Sequence, residues 1–240
     1  MISNKRILVV VPARGGSKGI PLKNLCKVNG TPLVAGVGKV IKFIPEIDRS
    51  VVSTDHEEIA RVAEDAGISA PFRRTEELSG DRVSDIEVLT HALLATELID
   101  DIVYDVIVML QPTSPLRESK HVSDAIHMLV DGEWDAVWTV SETDSKSHPL
   151  KQLVVDGENL DYYDKSGDKI IARQQLEPVY HRNGVAYVIT RECLLSKKSI
   201  KGNKTGALII EGGHISIDTK WDLSLVEFIL SNKHDIEMVG

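Results

Sequence analysis

Between Ala13 and Asn24 the chain reads ARGGSKGIPLKN, which sets Arg14, Lys18 and Lys23 within ten positions of one another beside Gly15, Gly16 and Gly19. The stretch follows directly on the apolar run Ile7–Val11. Glycines at the carboxyl end of a first parallel strand let backbone N–H groups converge on an anion, and that end of an open α/β sheet is where ligands bind. Three cations exceed the need of a single phosphate, so the chemistry indicated is a grip on a polyphosphate such as a nucleoside triphosphate. Two familiar glycine motifs fail here. A Walker A loop needs lysine after its last glycine, whereas the order is Lys18-Gly19, and Gly15-Gly16-Ser17-Lys18-Gly19 supplies only part of a G-x-G-x-x-G fingerprint. A tight glycine turn with solvated cations is the competing structural reading.

The charge distribution points the same way. Residues 1–45 carry eight cations and no acid, within a 240-residue chain of net charge −8. The sum argues against general nucleic-acid binding, while the asymmetry prepares one end of the chain for an anion. Cys26 and Cys193 lie far apart without metal-ligand spacing, so free thiols and a reducing, cytoplasmic setting are expected. No stretch approaches the roughly 18 apolar residues of a membrane span, and no signal-peptide pattern opens the sequence.

The elements that must position these residues alternate in type. Ile7–Val11, Ser50–Ser53, Val103–Leu110 and Ala136–Val140 read as buried strands; Leu33–Phe43, Glu57–Ala66 and Lys120–Val130 read as helices. Near-continuously apolar strands separated by helices predict an open, doubly wound α/β sheet, mostly parallel and covered on both faces. Thr54 or Asp55 is expected to cap the second helix and Gly67 to end it. From about 141 to 182 the pattern changes to short strands around Asp156-Gly157 and a polar turn at Lys165–Asp168, an antiparallel excursion suited to covering a site or meeting a second subunit. Strands then return at Gly184–Ile189 and Ala207–Ile210, and DLSLVEFIL supplies a closing helix.

Six blocks in order carry a resemblance: ARGGSKGIPLKN, VSTD, LQPTSPLR, SHPLK, ARQQLEPVYHRNGVAYV and SIDTKWDL. Together they resemble the N-acylneuraminate cytidylyltransferases, or CMP-sialic acid synthetases, from about Ile7 to Leu230. The resemblance implies a single nucleotidyltransferase domain of Rossmann-like type over 1–240, with the excursion serving homodimerisation. It implies transfer from CTP to a nine-carbon 2-keto acid sugar with release of pyrophosphate. By position, Arg14, Gly15, Ser17, Lys18, Lys23 and Asn24 line the nucleotide phosphates, with Lys23 and Arg14 catalytic. Arg74 and Ser84 match nucleotide contacts, although Ser84 stands equally well as a helix N-cap and Asp85 replaces a serine common in relatives. Gln111 and Ser114 project toward the acceptor, and Arg117 either joins them or pairs structurally.

The acceptor's carboxylate calls for a guanidinium. Arg173 matches the arginine that the family carries on its dimer extension, toward the neighbouring subunit's site. Asn183 and Tyr187 match polar contacts, with core packing the alternative for Tyr187. His148, in a His-Pro turn without an oriented partner, reads as structural. Asp218 matches a magnesium ligand and is counted as catalytic; a few carboxylates plus phosphate oxygens suffice for Mg2+. Relatives present a second aspartate where this chain has Ser216, so metal binding leans on Asp218, with Asp222 either a second carboxylate or the cap of the last helix. Activation of another anionic sugar, such as an eight-carbon keto acid, and a non-catalytic nucleotide- or sugar-acid-sensing module are the competing readings.

Overall fold

The computed structural model describes residues 2–232. The chain opens with β1 (Ile7–Pro12), whose side chains are buried on both faces: Ile7, Val9 and Val11 enter one core, Leu8 and Val10 the other. A strand of this composition is stable only where both faces are covered. The Ala13–Asn24 loop leads to a two-stranded ribbon of β2 (Lys27–Val28) and β3 (Thr31–Pro32), then α1 (Leu33–Ile41), β4 (Arg49–Ser53) and α2 (Glu57–Asp65). Next come α3 (Asp85–Asp100), β5 (Val106–Met109), α4 (Ser119–Asp131) and β6 (Ala136–Glu142). The hairpin β7 (Leu153–Asp156) and β8 (Asn159–Tyr162) precedes β9 (Tyr180–Thr190), and α5 (Arg191–Leu195), β10 (Thr205–Ile209) and α6 (Lys220–Ser231) close the described fold.

The main sheet runs β10-β6-β9-β5-β1-β4. Every neighbouring pair is parallel except those made by β9, which runs antiparallel between β5 and β6. The expected doubly wound, mostly parallel sheet is therefore present. Helices α1, α2 and α4 pack over one face and α3 and α5 over the other, while α6 closes a smaller apolar cluster with Ile20, Val28, Leu33 and Ile217. The chain passes from β1 to β4 on one side and then crosses to β5 on the other, so the loops after β1 and β5 diverge. A crevice at such a switch point is the usual ligand site of open α/β sheets.

Two local expectations change. Helix α3, sixteen residues long, is foreshadowed only by the N-cap reading of Ser84, because apolar residues surround it too evenly for a clear helical stripe; the Ser84–Glu87 capping box bears that reading out. The cap of α2 is His56, not Thr54 or Asp55: Thr54 Oγ1 accepts the His56 N–H at 3.1 Å, and Asp55 turns toward the glycine loop. Gly67 does end that helix, at φ +86° with its N–H on the Glu64 carbonyl. The excursion leaves from the paired ends of β6 and β9, where Glu142 faces Tyr180, and carries its own two-stranded sheet.

Candidate active site

A cleft of about 270 Å³ opens at the carboxyl ends of β1 and β5, lined by Arg14, Ser17, Lys23, Asn24, Arg74 and Gln111 among others. The glycine loop wraps one side of it. Its glycines were expected to offer backbone N–H groups to an anion, but the Gly15 N–H donates to Asp55 Oδ1 at 2.8 Å and the Ser17 N–H to the Gly15 carbonyl at 3.0 Å. Close packing explains at least one glycine. A Cβ on Gly19 would lie 2.5 Å from the Asp218 carbonyl oxygen, so only glycine lets the loop rest on the 216–218 segment. With the Gly15 and Ser17 N–H groups engaged inside the protein, the side chains of the loop carry much of its offer to an anion.

Those side chains are held by neighbouring acids and carbonyls. Arg14 Nη1 lies 2.8 Å from Asp81 Oδ1 and Lys18 Nζ 2.5 Å from Asp81 Oδ2; hydrogen bonds from Lys18 and then Arg14 hold the Asp81 carboxyl below the usual range. Asn24 anchors the loop by donating from Nδ2 to the Arg14 carbonyl at 2.9 Å. Lys23 Nζ donates to the Ile217 carbonyl at 2.9 Å and Asp218 Oδ1 at 2.8 Å. Arg74 is buried, with Nε on Ser53 Oγ and Nη2 on the Ser53 carbonyl, and burial draws its pKa down to about 10, which leaves it a cation at neutral pH.

The opposite wall is built from the turn after β5. Arg117 is buried there and donates to the carbonyls of Gln111, Gly184 and Val185, tying that turn to β9; burial lowers its pKa to about 9. Its place is the structural alternative raised by the sequence, with backbone oxygens as its hydrogen-bond partners among the described residues. At Gly184, φ is +71°, and a Cβ would stand 2.5 Å from Ser114 Oγ and 2.8 Å from Gln111 Oε1. Gly184 is thus what permits the Gln111 side chain to lie where it does.

The remaining predicted residues divide plainly. Ser114 is buried behind Gln111 and donates to the Asn183 carbonyl; the Asn183 side chain is consumed by Thr139, Ser141 and Val185; Tyr187 packs edge-on against Trp138 in the core. Ser84 caps α3, and its neighbour Asp85 lines the cleft instead. Arg173 lines a different cleft, with Glu142, Glu177 and Gly212. His148 is buried, accepting the Leu150 N–H at Nδ1 and donating from Nε2 to the Glu177 carbonyl, which leaves neither nitrogen for proton transfer. Asp55 and Asp81 emerge as site residues that sequence reasoning missed. An acid in a polar loop carries no local mark of the cation it will meet.

Among the described residues no cluster of three or more His, Cys, Asp or Glu side chains is arranged to hold a metal. Ser216 Oγ meets Thr113, and Asp222 Oδ2 is spent on the N–H groups of Asp218 and Thr219, so Asp222 serves the start of α6 as the third residue of a capping box whose N-cap is Thr219. Asp218 remains, 74% exposed, its carboxylate bound among the described residues through one oxygen to Lys23. A single open carboxylate fits a magnesium ion that takes its other ligands from phosphates and water; it does not fit a protein cage.

Cationic loops converging on the switch point of a doubly wound sheet define a nucleotide-handling α/β enzyme. The chain belongs to the cytidylyltransferase family, whose sequence model matches residues 8–231, and it is therefore a nucleotidyltransferase. The CMP-N,N'-diacetyllegionaminic acid synthase of Legionella pneumophila is 32% identical over 228 residues, covering 94% of this chain and 96% of that protein. The N-acylneuraminate cytidylyltransferase of Escherichia coli is 29% identical over 95% of this chain, which spans 53% of that longer relative. The resemblance read from the six blocks is borne out by these relatives. In fold, the chain superposes on a CMP:2-keto-3-deoxy-manno-octonic acid synthetase solved with CTP at a TM-score of 0.68 and 16% identity, covering 95% of this chain and all of the other. No helix among the described residues is long and apolar enough to cross a membrane.

Proposed function

We propose that this protein transfers a cytidylyl group from CTP to a nonulosonic acid, a nine-carbon 2-keto acid sugar, giving the CMP-sugar and pyrophosphate. The observation that carries the reading is the cleft in which Arg14, Lys23 and Arg74 converge with Gln111, in a chain of the cytidylyltransferase family. The names of its relatives support a nonulosonate acceptor. In the reaction the sugar hydroxyl loses its proton to solvent as its oxygen bonds the α-phosphorus, the bond from that phosphorus to the α,β-bridging oxygen breaks, and pyrophosphate leaves opposite the attacking oxygen. Arg14, Lys18 and Lys23 neutralise the phosphates, and Lys23 stabilises charge on the departing group. Gln111 orients the acceptor. Magnesium held by Asp218 and the nucleotide phosphates would supply further charge neutralisation.

The chain is read as one nucleotidyltransferase domain that pairs with a second copy through the excursion, bringing Arg173 toward the partner's acceptor site. Exposed Val155, Leu160, Tyr163 and Ile171 support that pairing. The free thiols of Cys26 and Cys193 and the use of CTP support a cytoplasmic location. The test is release of pyrophosphate from CTP and magnesium with a panel of eight- and nine-carbon keto-acid sugars. Release with a nine-carbon acceptor is expected; release only with an eight-carbon acid, or none with any, overturns the reading.

A further inference from the structure

Two segments that carry site residues meet at a pair of histidines that the reaction chemistry leaves unused. The turn after β5 runs from Gln111 through the buried Arg117 into α4, which begins with a box in which His121 Nδ1 accepts the Glu118 N–H at 3.2 Å. The other segment leads from the end of β10 to Asp218, the carboxylate that Lys23 meets. His214 belongs to it, and its ring lies edge-on to His121 with centroids 5.1 Å apart and planes at 79°. Both rings are half-buried, and His214 Nδ1 is buried with no hydrogen-bond partner among the described residues. The same two segments are joined by the Ile217 N–H on the Thr113 carbonyl at 2.8 Å and by Ser216 Oγ at 3.4 Å from Thr113 Oγ1.

Protonation undoes this junction in three ways. The Nδ1 lone pair of His121 is engaged, so the neutral ring keeps its proton on Nε2 and a second proton has to displace the Glu118 N–H. A cation in the first turn of α4 opposes the helix dipole. Two imidazolium rings at this separation repel each other, and Arg117 acts against a charge on either. Burial, the largest effect, holds both rings below the ordinary histidine pKa. At His121, Glu118 and Asp124 oppose it and Lys120 and Arg117 add to it; at His214, His121 and Arg117 add to it, and the backbone at Glu211 and the Glu118 carboxylate oppose it. A folded-state pKa below the ordinary value leaves the neutral contact complete above about pH 6.5, and its contribution is lost as pH falls from there through the lower folded-state pKa. Gly212, at φ +89°, and Gly213 precede His214, so this stretch has no side chain of its own to hold it once the ring contact fails.

We propose that His121 and His214 are positioning residues whose neutral ring contact keeps the Gln111 turn and the Asp218 segment together, and whose protonation releases the segment from the turn. For its effect on turnover the proposal rests on the cytidylyl-transfer reading above; the ring contact itself does not. The test is hydrogen–deuterium exchange of the full chain, corrected for the intrinsic pH dependence of amide exchange, in the parent, His121→Asn, His214→Phe and the double variant. Asparagine keeps an acceptor near the Nδ1 position, phenylalanine keeps a ring, and neither titrates. In the parent, the amides of residues 211–218 should exchange about tenfold faster at about pH 5.5 than at about pH 7.5, the linkage of one histidine proton over one pH unit below the ordinary pKa. The ratio should shrink in each single variant and approach one in the double variant, and the acid loss of pyrophosphate release from CTP should flatten with it. Exchange in the parent that ignores pH overturns the proposal. So does a double variant that melts lower at every pH yet keeps the parent's ratio, because the pair is then ordinary packing. Should a variant not fold, the parent decides alone: acid-accelerated exchange confined to 211–218 supports the proposal, and equal acceleration in β10 overturns it. No pyrophosphate release with any acceptor overturns the cytidylyl reading, and the exchange ratios still decide the ring contact.

Discussion

Lys23 joins the two halves of the site, because its ammonium reaches from the glycine loop to the Ile217 carbonyl and the Asp218 carboxylate. Replacing it by alanine should lower kcat by about 100-fold or more, the scale of losing one electrostatic group at a developing charge. Circular dichroism and Tm should stay close to the parent's; near-normal turnover would remove Lys23 from catalysis. Asp81 occupies the same loop cations that a triphosphate would claim. Asp81→Asn should therefore tighten pyrophosphate binding by about threefold, the weight of an exposed ion pair. Weaker binding in a calorimetric titration would show that Asp81 orders the cations instead of competing for them.

At the scale of elements, the site depends on how strands and turns abut. Arg117 and Gly184 bind the turn after β5 to β9, so Gln111 is presented by two segments far apart in sequence. A second junction lies at the other end of the sheet. There Asp135 accepts from Lys197 Nζ at 2.5 Å and from the N–H groups of Asn203 and Lys204, joining the start of β6 to the loop that leads into β10. The Lys197 hydrogen bond, followed by those backbone donors, draws its pKa down to about 2. A folded-state pKa below the ordinary value means the stabilisation is complete above about pH 4 and is lost as pH falls toward 2. Asp135→Asn should thus melt below the parent at pH 7, with the two melting curves converging as the pH drops through that window. A Tm gap that ignores pH would assign the effect to geometry.

For the whole molecule, the proposed dimer follows from the excursion. Its hairpin exposes apolar side chains on a sheet separate from the main one, an arrangement that a second copy would cover. Sedimentation should give twice the chain mass for the parent. Val155→Glu together with Leu160→Glu should shift the protein to monomer and reduce sugar-dependent turnover more than CTP binding, because Arg173 would then miss the partner's acceptor site. A monomeric parent that retains full activity would count against this assembly.

Periodicity and local chemistry were enough to read the alternation of strands and helices, the excursion and the cationic character of the first loop. Each depends on residues near in sequence: buried strands write continuous apolar runs, and a loop's charge is the sum of its own side chains. The body of α3 escaped because apolar residues, Leu94, Leu98 and Ile99, also sit on its exposed side and blur the helical stripe, and the cap of α2 differed because Asp55 found a distant amide at Gly15. Tertiary structure alone decided that Arg14 and Lys18 share Asp81, that Lys23 meets Asp218, and that Asn183 and Tyr187 are spent inside the sheet. Such contacts join positions up to 195 residues apart, where distance and desolvation act through space and leave no trace in local spacing. The sequence by itself therefore determined where the cations and glycines gather, after the first strand, and the packed fold determined which partners those side chains meet.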